Sequence, residues 1–281
     1  MTTRPSAPSE SSAKQALAAF FAEKMEPLAR CREHRAKVVT AMECAGLGNP
    51  REIKSCRNGR RCRSGLCPVC VRILRRHLLR FLVARRLHRL RWHFVTIFVA
   101  GWTMKPGDAS SFGDLRDHHP IENFTTQLKR LGGEGLILVG SIETDYQVVA
   151  NQPVGKPFHL HCLISGRSED QILSAARTCF DLDQRVVLPV KRLLVGPTID
   201  DFLSAASYAF KQPFWKKSRP SPQATARRQW PKPAELAELI GNMGVHGWGG
   251  RLILVGVRND NGKFRVTTNL SATNRMGLSA D

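Results

Sequence analysis

Two histidines separated by one residue lie in an apolar segment at residues 158–164. In a strand, residues two apart project to the same face, so His159 and His161 are predicted to point together. Two neighbouring imidazoles can bind one divalent ion, and a carboxylate from an adjacent strand can complete the site. Glu143, on the preceding predicted strand, is the expected third ligand. The nitrogen and oxygen donors favour Mg²⁺ or Mn²⁺, although Zn²⁺ could occupy the site. The alternative is an exposed histidine pair that binds nothing.

A tyrosine with a neighbouring lysine follows the histidines. Tyr208 is one of two tyrosines in the chain, and it falls in a helix predicted to begin at Thr198 and to run to about Gln212. On that helix Tyr208 lies opposite the apolar stripe, and Lys211 follows about one turn later. A lysine there would stabilise a phenolate or contact a phosphate. The pair predicts a tyrosine nucleophile; the alternative is a surface tyrosine without a role.

Cysteines in the first quarter of the chain have the spacing of metal ligands. Five residues separate Cys56 from Cys62, four separate Cys62 from Cys67, and two separate Cys67 from Cys70. The final pair, two residues apart, allows two thiolates to chelate one ion, and four thiolates favour structural Zn²⁺. Cys44 is a fifth candidate for four places, so one of the five is not expected to bind; unligated cysteines are the alternative. The candidates are Cys44, Cys56, Cys62, Cys67 and Cys70.

The formal net charge of +20 over 281 residues favours a polyanionic partner, and nucleic acid is the default. A ribosomal basic protein and a membrane-surface binder are the alternatives. Residues 71–91 combine an apolar stripe at helical spacing with eight arginines and no acid. We expect this helix to contact DNA phosphates, although a solvated charged face has the same pattern. The predicted contacts are Arg72, Arg75, Arg76 and Arg80.

The sequence has no apolar stretch of about 20 residues that would span a bilayer, and the first 14 residues lack the apolar region of a signal peptide. We therefore expect a cytoplasmic protein without membrane contact. In that compartment the eight cysteines are expected to be reduced or metal-bound.

The pattern of apolar residues predicts an α+β fold with helices on one face of the sheet. Residues 13–30 read as a short helix, residues 31–70 have little periodicity, and residues 213–233 read as a basic loop. A loop is predicted at residues 153–157. The predicted strands are 94–100, 136–143, 158–164, 186–190 and 252–257, and the predicted helices after the first are 71–91, 123–131, 168–180, 198–212 and 234–240.

Three of these segments together resemble the motifs of the HUH endonucleases, and within them the rolling-circle replication initiators of plasmids and phages. The strand 94–100 is similar to the first motif, and residues 158–164 with Glu143 are similar to the second. Tyr208 and Lys211 are similar to the third. The resemblance covers about residues 92–211 and is carried by the combination of histidine pair and tyrosine.

The resemblance implies a ferredoxin-like nuclease core with an antiparallel sheet of about five strands flanked by helices, and an N-terminal zinc-binding module. It implies that Tyr208 attacks single-stranded or hairpin origin DNA, which forms a 5′-phosphotyrosyl link and frees a 3′-hydroxyl primer. Flanking duplex DNA and the host replication helicase and polymerase would be partners. A single-strand DNA transposase or mobilisation relaxase shares this chemistry, and a zinc-ribbon DNA-binding regulator is the non-enzymatic alternative.

The predicted domain organisation has four parts. Residues 1–30 form a disordered tail and short helix, and residues 31–91 form the cysteine-rich module and basic helix. Residues 92–212 form the nuclease core, and residues 213–281 form a basic linker and complete the fold.

Some relatives have a second tyrosine or a carboxylate one helical turn from the nucleophile, where this chain has Ser204 and Gln212. The residue that would complete the reaction cycle is therefore open between Asp201 and the Tyr208 of a second protomer.

Overall fold

The structure is a computed structural model that describes residues 10–108, 120–131, 135–180, 191–192, 198–211, 214–243, 251–260 and 263–268. No helix of these residues is both long enough and apolar enough to cross a membrane. The strand predicted at residues 186–190 lies outside the described part of the chain.

Helices dominate the segment before the sheet. They are α1 (Glu10–Glu23), α2 (Leu28–Ala45), α3 (Pro50–Lys54) and α4 (Pro68–Ala84), followed by a short 3₁₀ turn, Leu87–Arg89. The prediction of little regular structure over residues 31–70 is therefore wrong for α2. Its apolar positions, such as Val38 and Met42, are buried. Gly46 then ends α2 in the left-handed conformation at φ 64°, which glycine adopts without steric cost.

Three long antiparallel strands form the centre of the sheet: β1 (Trp92–Met104), β2 (Ile137–Val149) and β3 (Gln152–Ser165). β3 lies between β1 and β2. A two-residue turn joins β2 to β3, and both of its residues, Ala150 and Asn151, have positive φ, at 49° and 62°. This backbone twist matches the twist of paired strands. The loop predicted at residues 153–157 is wrong, because those residues already belong to β3.

The other edge of β2 pairs with two different strands. β7 (Leu252–Val255) runs antiparallel to residues 138–141, and β5 (Phe214–Arg219) runs parallel to residues 144–149. β6 (Arg227–Gln229) continues from β5, and β4 (Lys191–Arg192) pairs with β1. The described sheet thus has seven strands of mixed direction, in the order β4-β1-β3-β2-β5-β6 with β7 on β2. The prediction of about five antiparallel strands was too simple, and the segment predicted as a basic linker forms a hairpin.

Helices flank this sheet, as expected for an α+β fold. They are α5 (Pro120–Arg130), α6 (Glu169–Cys179), α7 (Ile199–Tyr208) and α8 (Pro233–Met243). A capping box is present at the start of α6, with reciprocal hydrogen bonds between Ser168 and Gln171. Thr198 caps α7. A second, two-stranded sheet consists of β8 (Val257–Asp260) and β9 (Lys263–Val266).

The N-terminal helices and the sheet share one hydrophobic core. Leu78 and Leu82 of α4 belong to the same buried cluster as Leu160 of β3 and Phe202 of α7. Trp92, at the start of β1, is 1% exposed and contacts the ring of Phe202 at a centroid distance of 5.9 Å. This continuous core fixes α4 and α7 relative to the strands that hold the histidines.

Candidate active site and metal centre

The β2–β3 hairpin brings the predicted metal ligands together. Its register places Glu143 opposite His159 and Ser141 opposite His161. Glu143 Oε2 lies 3.4 Å from His161 Nε2 and 3.8 Å from His159 Nε2. All three side chains are buried, and one donor atom from each lies within 4.8 Å of the others. Two ligands about 2.1 Å from one ion are about 3 Å apart at a right angle, so a small shift of these groups suffices for coordination.

The unpaired atoms of this cluster fit a divalent cation. Oε1 of Glu143 and Nε2 of His161 are buried without a hydrogen-bond partner, and such groups are costly unless something binds them. The other carboxylate oxygen, Oε2, is ion-paired with Lys211. His161 Nδ1 lies 2.8 Å from the Thr96 hydroxyl on β1. That contact orients the ring so that Nε2 faces Glu143, as in metal sites where the second ring nitrogen is held by a neighbour.

The protonation states in the cluster also suit a metal ligand set. Burial alone would raise the pKa of Glu143, but the Lys211 ammonium, 3.0 Å from Oε2, and His161 lower it to about 2. Burial, together with His161, holds the pKa of His159 well below its usual range. Glu143 is therefore ionised and His159 neutral near pH 7, which are the forms that bind metal ions.

Tyr208 lies directly beside this cluster. Its ring makes an edge contact with His161 at a centroid distance of 4.9 Å and with Phe94 at 5.8 Å. The side chain is half-buried rather than fully on a solvent-facing helix surface. Helix α7 ends at Tyr208, so Lys211 is not one helical turn further on, as expected, but lies in the bend that follows. Its ammonium nevertheless lies 3.7 Å from the centre of the Tyr208 ring.

Arg228, which the sequence analysis missed, completes the surroundings of the tyrosine. Its guanidinium Nη2 donates a hydrogen bond to the Tyr208 hydroxyl at 3.0 Å. Burial would raise the pKa of Tyr208, but the charges of Lys211 and Arg228 and their hydrogen bonds lower it below the usual value. The available signal was the run of cations without an acid between residues 202 and 234. The sequence did not indicate that β6 folds back onto α7.

Asp145 is a second carboxylate on the metal-site face of β2. Its Oδ2 lies 3.9 Å from His159 Nε2, and the side chain forms an ion pair with Lys217 of β5. Asp145 is 1% exposed, so the Lys217 ammonium neutralises a charge that would otherwise be buried alone. Each carboxylate at this end of the sheet thus has its own lysine, Glu143 with Lys211 and Asp145 with Lys217.

The cysteine module forms a compact four-sulfur cluster. Cys70 Sγ lies 3.5 Å from Cys56 Sγ and 3.6 Å from Cys62 Sγ, and Cys67 completes the group. Hydrogen bonds with neighbouring thiols and burial raise the pKa of Cys67 above its usual range, so a metal ion that binds there must displace the thiol proton. The cluster fits a structural zinc ion. Cys44, the fifth candidate, is exposed on α2 and is not part of it.

A buried arginine connects the cysteine module to the candidate active site. The Arg251 side chain donates hydrogen bonds to the carbonyl oxygens of Gly65 at 3.0 Å, Ile142 at 3.3 Å and Lys211 at 3.4 Å. Gly65 lies in the loop between Cys62 and Cys67, and Ile142 directly precedes Glu143. Burial lowers the pKa of Arg251 to about 10, although Glu143 opposes that shift. Arg251 therefore links the loop of the cysteine module, strand β2 and the bend after α7.

The arginines of α4 are placed differently from the expectation. Arg75 is 5% exposed and lies 3.9 Å from a carboxylate oxygen of Glu26, so its position does not support the predicted DNA contact. Arg72 donates to the Glu26 carbonyl at 2.7 Å. Arg76 and Arg80 lie over the Phe21 ring, at 4.8 and 5.5 Å. These side chains hold α1 and the α1–α2 turn against α4; of the four, only Arg80 is exposed. For Arg72, Arg76 and Arg80 DNA contact stays a prediction.

No protein-family model, curated protein or solved structure matches this chain.

Proposed function

We propose that the protein nicks and rejoins single-stranded DNA at a specific sequence through a 5′-phosphotyrosyl intermediate, as an initiator of rolling-circle replication. The proposal rests on one observation, which is that the candidate nucleophile Tyr208 lies next to the candidate metal ligands. The ring of Tyr208 contacts His161, and Lys211 bridges the phenol ring and Glu143. A buried carboxylate and two histidines with unpaired donor atoms have no structural need to lie beside a tyrosine with two cations.

The chemistry would proceed from the Tyr208 hydroxyl. A divalent ion held by Glu143, His159 and His161 would polarise the scissile phosphate. Lys211 and Arg228 lower the pKa of the phenol, so more of it is ionised at neutral pH and able to attack. A bond forms between Tyr208 Oη and phosphorus, the bond from phosphorus to the 3′ oxygen breaks, and that oxygen leaves as a 3′-hydroxyl after gaining a proton.

The covalent link keeps the energy of the phosphodiester, so a 3′-hydroxyl can attack it and rejoin strands. Arg228 is placed to bind a phosphate oxygen as well as the phenol, because a guanidinium presents several donors in one plane. The step that ends the reaction cycle and releases the DNA from Tyr208 would need a second nucleophile. Asp201, at the opposite end of α7, pairs with the Thr198 hydroxyl at 2.8 Å, which favours a capping role over that step.

The net charge of +20 supports a nucleic-acid substrate, and the resemblance of the three motifs supports origin DNA. The antiparallel centre β1-β3-β2, with the metal ligands on one face, supports a ferredoxin-like nuclease core. On this proposal the zinc module contacts flanking duplex DNA, the free 3′-hydroxyl primes synthesis by the host polymerase, and the host helicase is a further partner. A transposase or relaxase would use the same residues, and gene context rather than geometry separates it from an initiator.

A zinc-dependent DNA-binding regulator is the second candidate, and the four-cysteine cluster favours it. It leaves Tyr208 and its two cations without a role. The two candidates differ in one experiment, in which labelled single strands tiled across the DNA flanking the gene are incubated with protein and Mn²⁺. The proposal predicts site-specific nicks that Tyr208→Phe and a chelator abolish, and that Tyr146→Phe retains. Tight duplex binding without a nick in any strand would favour the regulator.

A further inference from the structure

The β5–β6 hairpin extends the metal-site face of the sheet. β5 runs parallel to the second half of β2, with Trp215 beside Asp145 and Lys217 beside Gln147. In β6, Arg228 lies opposite Lys217. Because side chains alternate between faces along a strand, Lys217, Arg219 and Arg228 share the face that carries Glu143.

The outer part of this hairpin carries positive charge that no acid neutralises. Lys216 and Lys217 pair with Glu235 and Asp145. By contrast, Arg219, Arg227 and Arg228 are exposed, and no ion pair with an acid is found for them among the residues that the structure describes. The sequence has no acidic residue between Asp201 and Glu235. Positive charge that no acid compensates attracts a polyanion.

The charged surface leads directly to the candidate nucleophile. Arg228 is its innermost member, because its guanidinium bonds the Tyr208 hydroxyl. Arg219 ends β5 on the same face, whereas Arg227 lies opposite Ser218 and therefore faces the other side of the sheet. A phosphate at Tyr208 would therefore be followed along the DNA by a phosphate within reach of Arg219.

Aromatic side chains lie where the hairpin meets the rest of the fold. Trp215 is the second residue of β5, and Trp230 directly follows β6; their ring centroids are 6.2 Å apart. Both are half-buried, and neither indole N–H has a hydrogen-bond partner. The Trp230 ring also stacks on His34 of α2 at a centroid distance of 3.9 Å, so these side chains anchor the hairpin to the rest of the fold.

We infer that the β5–β6 hairpin binds the backbone of the single-stranded DNA next to the scissile phosphate, with Arg219 contacting a neighbouring phosphate and Arg228 contacting the phosphate at Tyr208. The inference rests on the proposed function, since it takes Tyr208 as the point of attack. It assigns substrate binding to the segment that the sequence pattern predicts as a linker, rather than to the basic helix α4.

The test measures binding without reaction, in a Tyr208→Phe background. A fluorescein-labelled oligothymidine strand and a labelled duplex of equal length are titrated by anisotropy across a series of salt concentrations. The hairpin variant is Arg219→Gln. Its matched control is Arg227→Gln, which removes an exposed arginine from the opposite face of the same hairpin. A second control, Arg258→Gln, removes an exposed arginine from the β8–β9 hairpin. Circular dichroism and Mn²⁺ affinity of each variant report whether the fold and the metal centre persist.

We expect the hairpin variant to bind the single strand roughly fivefold more weakly at about 0.1 M salt, and the salt slope to fall by about 0.7, the contribution of one phosphate contact on a single strand. Both controls should retain the affinity and the slope. Unchanged affinity and slope in the hairpin variant would overturn the inference, and so would a loss of duplex affinity as large as the loss for the single strand.

These outcomes are separable from failure of the proposed function. If the protein with Tyr208 intact forms no covalent adduct with any strand, yet the hairpin variant loses single-strand affinity, the nicking proposal fails and the binding surface stands. If adducts form normally in the hairpin variant at low DNA concentration, the nicking proposal stands and the hairpin is not the binding surface.

Discussion

Arg228 donates a hydrogen bond to the hydroxyl of Tyr208 at 3.0 Å, across 20 residues of sequence. The contact exists because β5 pairs parallel with β2 and β6 then returns along β5 toward the end of α7. With Lys211 over its ring, the phenol has a cation at its hydroxyl and another at its face. Both stabilise the phenolate more than the neutral phenol, which is the requirement for a tyrosine nucleophile.

The two tyrosines should titrate in separate steps. Burial raises the pKa of Tyr146, and nearby Glu238 and Glu235 add to that shift, whereas the pKa of Tyr208 is lowered. Absorbance of the phenolate, followed against pH in metal-free protein, should therefore show one step below and one step above the usual value of about 10. Tyr208→Phe should remove the lower step and Tyr146→Phe the upper one. The reverse assignment would contradict the described surroundings of Tyr208.

Replacing Arg228 should move the pKa of Tyr208 upward. In a Tyr146→Phe background, which leaves one tyrosine, Arg228→Gln removes the charge at the hydroxyl and should bring the phenol pKa closer to about 10. Arg228→Lys should restore part of the shift because it keeps the charge. Arg227→Gln, on the adjacent exposed position, is the matched control and should leave the titration unchanged. An unaltered midpoint in Arg228→Gln would show that the hydrogen bond does not act on the phenol.

Lys211→Met should separate metal binding from DNA cleavage. The Lys211 ammonium lies 3.0 Å from Glu143 Oε2 and competes with a cation for that oxygen. Its removal should leave Mn²⁺ affinity equal or tighter, measured by calorimetry. Adduct formation should slow by roughly 100-fold, the scale of losing one electrostatic contact in a transition state.

Lys216→Met is the control for that experiment, since Lys216 is also ion-paired, but with Glu235, and is half-buried where Lys211 is buried. It should change neither quantity. Weaker Mn²⁺ binding in Lys211→Met would mean that this lysine supports the ligand set instead of competing with it.

The zinc content should depend on four cysteines and not on Cys44. The purified protein is expected to contain one zinc per chain, measured by elemental analysis. Cys67→Ser should lose it, because Cys67 lies within the four-sulfur cluster. Cys44→Ser should keep it, because Cys44 is exposed on α2 outside the cluster. Zinc loss in Cys44→Ser with retention in Cys67→Ser would contradict the described ligand set.

Arg251→Met should destabilise the protein by more than a surface substitution. Arg251 satisfies the carbonyls of Gly65, Ile142 and Lys211, and methionine would leave these acceptors unpaired in a buried setting. The expected loss in the free energy of unfolding is about 3 kcal/mol, taking about 1 kcal/mol for each acceptor. Urea denaturation of the zinc-loaded protein measures it. Arg258→Met, on the exposed β8, should change stability by less than about 0.5 kcal/mol; equal effects would refute the linking role.

The candidate metal ligands were predictable because their geometry is local. The alternation of a strand puts His159 and His161 on one face. The two-residue turn between β2 and β3, together with the register shift between Gln147 and Val148, then brings Glu143 opposite His159. The spacing of the cysteines likewise predicted a cluster, although it left open which of the five candidates lay outside it. In both cases the residues that meet are close in sequence or share one hairpin.

The surroundings of Tyr208 were only partly predictable, because they depend on contacts between distant segments. The pairing of β5 with β2 joins strands more than 60 residues apart, and no periodicity marks the short, basic β6 as a strand. The polar pattern of α4 indicated exposure, yet Arg75 is buried against Glu26. Amphipathic stripes show which face of a helix is apolar, but not which charged side chains a neighbouring helix will cover.

The central claim is that Tyr208 forms a covalent bond to DNA, and mass spectrometry of the adduct tests it most directly. The protein would be trapped with Mn²⁺ and a single strand containing the nick site, then digested with protease and nuclease. The account predicts a nucleotide joined through its 5′-phosphate to the peptide that contains Tyr208, and no adduct in Tyr208→Phe. A link to another residue, or the same adduct yield from Tyr208→Phe, would contradict it.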